Sequence, residues 1–153
     1  MVRCFSIGLV LLAALAWTAP ASAQGAIGVR GGVSADPSQF FVGIHYETDP
    51  FAGRLRFRPN AEAGFGDDIT LIALNFEFTW DFPIRRQPWA VYVGAGPAVN
   101  IYRWDHHDES ESETEPGVNF LFGIGHRGGF FGELKIGAID SPEFKFAVGY
   151  TFR

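Results

Sequence analysis

The sequence predicts an all-β chain in which eight antiparallel strands close into an up-and-down barrel. Three observations carry this. Apolar and polar residues alternate with a period of two in segment after segment, whereas no window after Trp17 shows a helical period. Clusters of Gly, Pro, Asp and Ser break that alternation at the spacing of an all-β chain. The last stretch, EFKFAVGYTFR, sets Phe144, Phe146, Val148, Tyr150 and Phe152 against Lys145, Ala147, Gly149 and Thr151, so the chain ends on one of its most apolar faces.

The first residues are read apart from the fold. Arg3 precedes a mostly apolar run from Cys4 to Trp17, and Ala21-Ser22-Ala23 is a small-residue cleavage pattern. This predicts a signal peptide over residues 1–23, too short for a membrane helix, and a mature chain over residues 24–153. Gln24 rather than a cysteine follows the cut, so a lipid anchor there is not expected. The only cysteine, Cys4, leaves with the leader, so disulfides contribute nothing to stability.

In the first strand Ile27, Val29, Gly31 and Val33 alternate with Gly28, Arg30 and Gly32. In the second, Phe40, Val42, Ile44 and Tyr46 oppose Phe41, Gly43, His45 and Glu47. The third sets Leu55 and Phe57 against Arg54, Arg56 and Arg58, and is expected to end at Pro59 in a glycine-bearing loop. The fourth puts Thr70, Ile72, Leu74, Phe76, Phe78, Trp80 and Phe82 on one face, with Asn75, Glu77 and Thr79 opposite. The fifth has Trp89, Val91, Val93, Val99 and Ile101 against Tyr92, Gly94, Gly96 and Asn100; Pro97 cannot donate to a ladder and predicts a bulge or local irregularity. Residues 105–116 are expected to form a solvated acidic loop. The sixth strand turns Val118, Phe120, Phe122 and Ile124 outward, and His126-Arg127-Gly128-Gly129 makes a tight turn. In the seventh, Phe130, Leu134 and Ile136 face away from Glu133 and Lys135, and residues 139–142 lead into the last strand.

A soluble lipid-binding barrel would alternate in the same way, and two features favour a transmembrane barrel over it. Only Lys135 and Lys145 remain as lysines in a chain with sixteen phenylalanines, and the less apolar face carries glycine and charge suited to a cramped interior. Aromatic residues also gather at strand ends: Tyr46, Trp80, Phe82, Trp89, Tyr150 and Phe152 fall on one rim, with Phe40 on the other, as at a headgroup level. With both termini in the periplasm, residues 48–53, 83–88 and 126–129 form the periplasmic turns. The outer connections then include 60–68 and 102–117, and short turns opposite longer loops are the usual asymmetry of such barrels.

The alternating closing strand with its near-terminal aromatic, together with YVGAGPAVNIY around the fifth strand, resembles the small outer-membrane β-barrel proteins of the OmpA/OmpX and opacity-protein kind. The resemblance covers the whole mature chain. It implies residence in the outer membrane, lipid as the surrounding partner, and delivery by the barrel-assembly machinery that reads the C-terminal strand. A porin-like role is one form such a barrel takes.

By parity Arg30, His45, Glu47, Arg54, Arg56, Arg58, Glu77, Glu133 and Lys135 face inward. At eight strands the interior is just wide enough for side chains, so these residues are read as a lumen charge network, with an ion path or proton relay as the alternative. Phe76, Phe78, Trp80, Trp89, Phe146, Val148, Tyr150 and Phe152 are the expected membrane face and girdle. Seventeen acids stand against twelve bases, one of them Arg3, so the mature chain carries about −6. Asp105, Asp108, Glu109, Glu111, Glu113 and Glu115 account for that excess. No basic patch suits a nucleic acid. The DHHDESESETE run is either a solvated loop or, through His106 and His107, a place for a divalent cation. Outer-membrane lipid A deacylases are also eight-stranded, but they pair a histidine with a serine two residues on, and no histidine here has one. No enzyme, cofactor or metal centre is therefore expected. The leading reading is a non-enzymatic barrel acting through surface loops, in adhesion or envelope integrity. The alternatives are a barrel that binds or passes a small ligand and a soluble periplasmic lipid-binding barrel; no outside partner is named by the sequence.

Overall fold

The computed structural model describes residues 25–106 and 109–153; the expected signal peptide lies outside the described residues. The strands are β1 (Gly25–Ala35), β2 (Gln39–Thr48), β3 (Leu55–Phe65), β4 (Ile69–Pro83), β5 (Trp89–His106), β6 (Glu109–His126), β7 (Phe130–Ile139) and β8 (Phe144–Thr151). Each pairs antiparallel with the next, and β8 pairs with β1 from Gly28↔Thr151 to Ala35↔Phe144, closing the barrel. Closure pairs the backbone groups that an open sheet would leave exposed at its edges. No helix occurs among the described residues.

The period of two decides which side chains point where. Ala147 is fully buried while its neighbour Val148 is 52% exposed, and the same switch repeats along every strand. The exposed outer face carries Ile27, Val42, Ile44, Phe78, Phe120, Phe122 and Phe146 among others, and the buried inner face is largely polar. A soluble globule has its apolar residues inside, so this barrel is inverted relative to one. Phe78, Trp80, Trp89, Phe146, Val148 and Phe152 lie exposed on this outer face, with Phe76 and Tyr150 half-exposed beside them.

The start of β1, the end of β8 and the connections after β2, β4 and β6 share one rim, called here the terminal rim. Around it Trp89 meets His126 edge-on at 4.7 Å, Phe130 meets Tyr150 at 4.8 Å, and Tyr150 meets Phe152 at 5.1 Å. On the far rim Phe40 packs against Phe65 at 5.6 Å, so that girdle includes an aromatic residue beyond the expected Phe40.

Three expectations are corrected. The third strand does not stop at Pro59: β3 continues to Phe65, pairing with β4 from Leu55↔Trp80 to Phe65↔Thr70, and the expected loop shrinks to residues 66–68. Pro59 faces outward opposite Phe76 within the β3–β4 ladder, while the pairing of β2 with β3 ends next to it at His45↔Asn60. Second, residues 105–106 and 109–116 are paired strand rather than loop. β5 and β6 pair from Trp89↔His126 through His106↔Glu109, so the acidic segment forms the tip of a protruding two-stranded ribbon. Pairing with β5 satisfies one edge of the β6 part of this segment, and its other edge stays open. Third, no residue is inserted at Pro97. The β4–β5 register is the same on either side of a gap between Asn75↔Ala98 and Phe78↔Ala95, so the irregularity is two missing rungs rather than a bulge.

Candidate functional site: the occluded lumen and its two mouths

The interior is filled by a polar network to which all eight strands contribute. β7 places Glu133 at its centre. This carboxylate accepts hydrogen bonds from Arg30 Nη1 at 3.1 Å, Arg58 Nη1 at 3.2 Å and the Tyr92 hydroxyl at 2.8 Å. A second hub is Glu62, with Arg30 at 3.3 Å, Lys135 at 3.2 Å and Lys145 at 2.7 Å. Lys135 also lies 2.7 Å from Glu77. Asn60 donates to Glu77 at 2.8 Å, Asn75 donates to Asn60, and Asn119 donates to Asn75 at 2.7 Å, extending the network across to β6.

Among the described residues, the buried cations Arg30, Arg58, Lys135 and Lys145 are matched by the buried carboxylates Glu47, Glu62, Glu77 and Glu133. Equal numbers of opposite charge are what a closed interior demands, because an unpaired charge there is costly. Aromatic rings line the remaining space. The Arg58 guanidinium lies 4.7 Å from the centre of Tyr92 and 5.2 Å from that of Phe131, and Lys145 lies 5.2 Å from Phe41. His45 bonds Thr151 through Nε2 at 3.0 Å and stands edge-on to Phe131. Two glycines make room: a Cβ at Gly123 would strike the Tyr92 ring, and one at Gly149 the Phe131 ring.

Of the residues expected inside, Arg30, His45, Glu47, Arg58, Glu77, Glu133 and Lys135 are buried, and Arg56 sits half-buried at the terminal mouth. Arg54 is a correction. It is exposed in the turn before β3, because the strand begins one residue later and the turn carries it clear of the barrel. Reading the third strand as ended at Pro59 hid Glu62 and Asn60, although the alternation Arg58, Asn60, Glu62, Gly64 continues unbroken. Lys145, Tyr92, Asn75 and Asn119 were legible as inward by parity alone, but nothing local marks them as members of one network.

At the terminal mouth a vestibule of about 200 Å³ is lined by Arg56, Asp81, Trp89, His126, Arg127 and Arg153 among others, with Arg58, Tyr92, Phe131 and Thr151 also on its wall. Arg56 pairs with Asp81 at 2.6 Å and with Glu47 at 3.1 Å, and Arg153 reaches the same Glu47 at 2.5 Å. At the far mouth the β7–β8 connection folds inward. Ser141 and Pro142 are buried, Asn100 donates to the Asp140 carbonyl at 2.8 Å and to Ser141 Oγ at 3.1 Å, and the Tyr102 hydroxyl donates to that carbonyl at 3.1 Å. The barrel is thus filled in its middle and capped at one end.

Above that cap stands the ribbon. Tyr102 and Trp104 stack at 5.9 Å and share its inner face with Glu111, Glu113 and Glu115, to which they and Asn100 are paired in register. β7 stops at Ile139 opposite Gly117, so residues 109–116 of β6 have a strand on one side only. The His106-His107 candidate extends across residues 107–108, outside the described residues. Among the described residues no cluster of histidine and carboxylate has the geometry of a metal site.

No family model matches the chain, and no curated protein does. Solved structures do. The N-terminal β-barrel domain of Pseudomonas aeruginosa OprF superposes with a TM-score of 0.62 at 15% identity, covering 84% of this chain and 96% of that one. Neisserial surface protein A gives 0.57 at 13%, covering 83% and 91%. Ail, the attachment invasion locus protein of Yersinia pestis, gives 0.57 at 12%, covering 85% and 99%. At these identities the likeness is one of fold, and it extends over the barrel from end to end. The chain has the fold of the small eight-stranded outer-membrane β-barrels.

Proposed function

We propose that the chain resides in the outer membrane as a non-enzymatic, occluded barrel, and that its work is surface contact made by the β5–β6 ribbon. The exposed apolar belt and polar interior support membrane residence, since lipid is the solvent that such a belt fits. The observation that carries the contact reading is the free edge of residues 109–116, held out beyond the barrel mouth. An open strand edge offers unpaired backbone groups to an extended segment of another protein. Glu111, Glu113 and Glu115 on alternate positions would favour a basic one. That one fold neighbour is described as an attachment invasion locus protein agrees with this reading.

The test compares cells producing the chain, cells producing a variant with residues 104–111 replaced by Asn-Gly, and cells lacking the chain. Attachment to protein-coated surfaces and cell–cell aggregation are scored, and unheated gel mobility checks that the barrel is folded. The ribbon reading expects a folded variant that behaves like the cells lacking the chain. Undiminished attachment by the shortened variant would overturn it and favour a role in envelope integrity.

The vestibule supports a second reading, a barrel that binds a small ligand at its terminal mouth. Passage of that ligand would require the Glu133–Arg58–Tyr92 cluster to part.

A further inference from the structure

The two rims differ in charge in a way that the lumen and the ribbon do not explain. Every connection on the terminal rim carries an exposed arginine: Arg54 after β2, Arg85 and Arg86 after β4, and Arg127 after β6. On the far rim the connections after β1, β3 and β7 carry exposed carboxylates instead, Asp36, Asp67 and Asp140, and Glu111 lies exposed on the ribbon above them. Among the described residues none of the four arginines has an ion-pair or hydrogen-bond partner for its guanidinium, whereas the neighbouring Arg56, Arg58 and Arg153 are all paired. Asp81 and Glu47 are taken up by those pairs, so among the described residues Asp49 is the one acidic side chain left unpaired on this rim.

Each of these turns also carries an exposed apolar side chain beside its arginine. Phe51 is 58% exposed three residues before Arg54, Ile84 is 41% exposed next to Arg85, and Phe130 is 65% exposed three residues after Arg127. The girdle residues Trp80, Phe82 and Trp89 are exposed on the same rim, near the end of β4 and at the start of β5. A surface meant only for water has no reason to place an apolar anchor beside each cation. The boundary between acyl chains and headgroups has both chemistries within a few ångströms.

We infer that the terminal rim is a binding surface for anionic phospholipid headgroups, with Arg54, Arg85, Arg86 and Arg127 as its phosphate contacts. The inference rests on the membrane residence proposed above. A guanidinium presents two parallel N–H donors to phosphate oxygens, and four spaced round a rim would recruit several lipids from one leaflet rather than a single ligand. The acidic far rim would repel the same headgroups, so the preference belongs to the periplasmic leaflet.

The experiment uses the exported chain carrying Trp104→Phe, so that tryptophan fluorescence comes from Trp80 and Trp89 at the terminal rim. The protein is inserted in phosphatidylcholine vesicles containing phosphatidylglycerol, with the bromine label on one lipid or the other. Quenching then reports which lipid sits beside the rim. The expected result is a preference for phosphatidylglycerol of about fivefold at low salt, as one arginine beside each headgroup predicts, falling as salt is raised. In R54Q/R85Q/R86Q/R127Q the preference should vanish while unheated gel mobility stays that of the folded barrel. Equal quenching by both lipids in the unsubstituted rim, or a preference that survives all four substitutions, would overturn the inference. Indifference to lipid charge together with sedimentation on purified peptidoglycan would reassign the arginines to the cell wall. Failure of the chain to insert in any vesicle would instead overturn the membrane reading on which this one stands.

Discussion

Lys135 Nζ lies 2.7 Å from Glu77 Oε1, with both side chains closed off from solvent. The ammonium also faces Glu62 at 3.2 Å and Glu133 at 3.7 Å, so one cation on β7 faces three carboxylates from three strands. Lys135→Met would leave those carboxylates short of a counter-charge. The expected loss is about 3–5 kcal/mol, the usual cost of removing one member of a buried pair. Urea unfolding in vesicles, followed by gel mobility without heating, measures it. Adding Glu77→Gln to Lys135→Met should recover part of the loss, and full additivity of the two would show that the pair does not interact.

Tyr92 and Gly123 form a second checkable pair. The Tyr92 hydroxyl donates to the Glu133 carboxylate, and the ring lies across the space that a Cβ at residue 123 would occupy. Tyr92→Phe should cost about 1.5–3 kcal/mol, as for a hydrogen bond to a charged group. Gly123→Val should cost as much by displacing the ring, and Tyr92→Ala should relieve the Gly123→Val defect in the double variant. If Gly123→Val is equally harmful in both backgrounds, the contact is not the reason for the glycine.

The filled interior predicts no steady conductance. Arg30, Arg58, Glu62, Glu133 and Lys135 cross the lumen at full burial, and the far mouth is closed by Ser141 and Pro142. Purified protein in planar bilayers should give no reproducible single-channel steps. Stable steps would promote the ligand-passing reading over the occluded one.

Val148 tests the outer face. It lies exposed on β8 between Gly31 of β1 and Gly132 of β7, well inside the apolar belt. Val148→Arg should impair insertion by about 2–4 kcal/mol if it sits near the bilayer midplane. Phe76→Arg on β4 should do the same, whereas Thr114→Arg on the ribbon should cost nothing measurable. Tolerance of arginine at both Val148 and Phe76 would favour a barrel that faces water.

The sequence by itself determined the strand count, the closing strand and which residue of each neighbouring pair faces in or out. That information is local, because a period of two is written along each strand and needs no knowledge of its partners. It therefore placed Arg30, Glu77, Glu133 and Lys135 inside and Phe78, Phe146 and Val148 outside. Strand ends were less legible. Proline at residue 59 and the acids around residue 111 read as loops, yet pairing with β4 and β5 carries both segments into the sheet, since a partner strand can offset a weak local preference. Tertiary structure alone decided who meets whom within the lumen. Glu62 joins Arg30, Lys135 and Lys145 across the barrel because closure brings β1, β3, β7 and β8 face to face, and no spacing along the chain encodes that encounter.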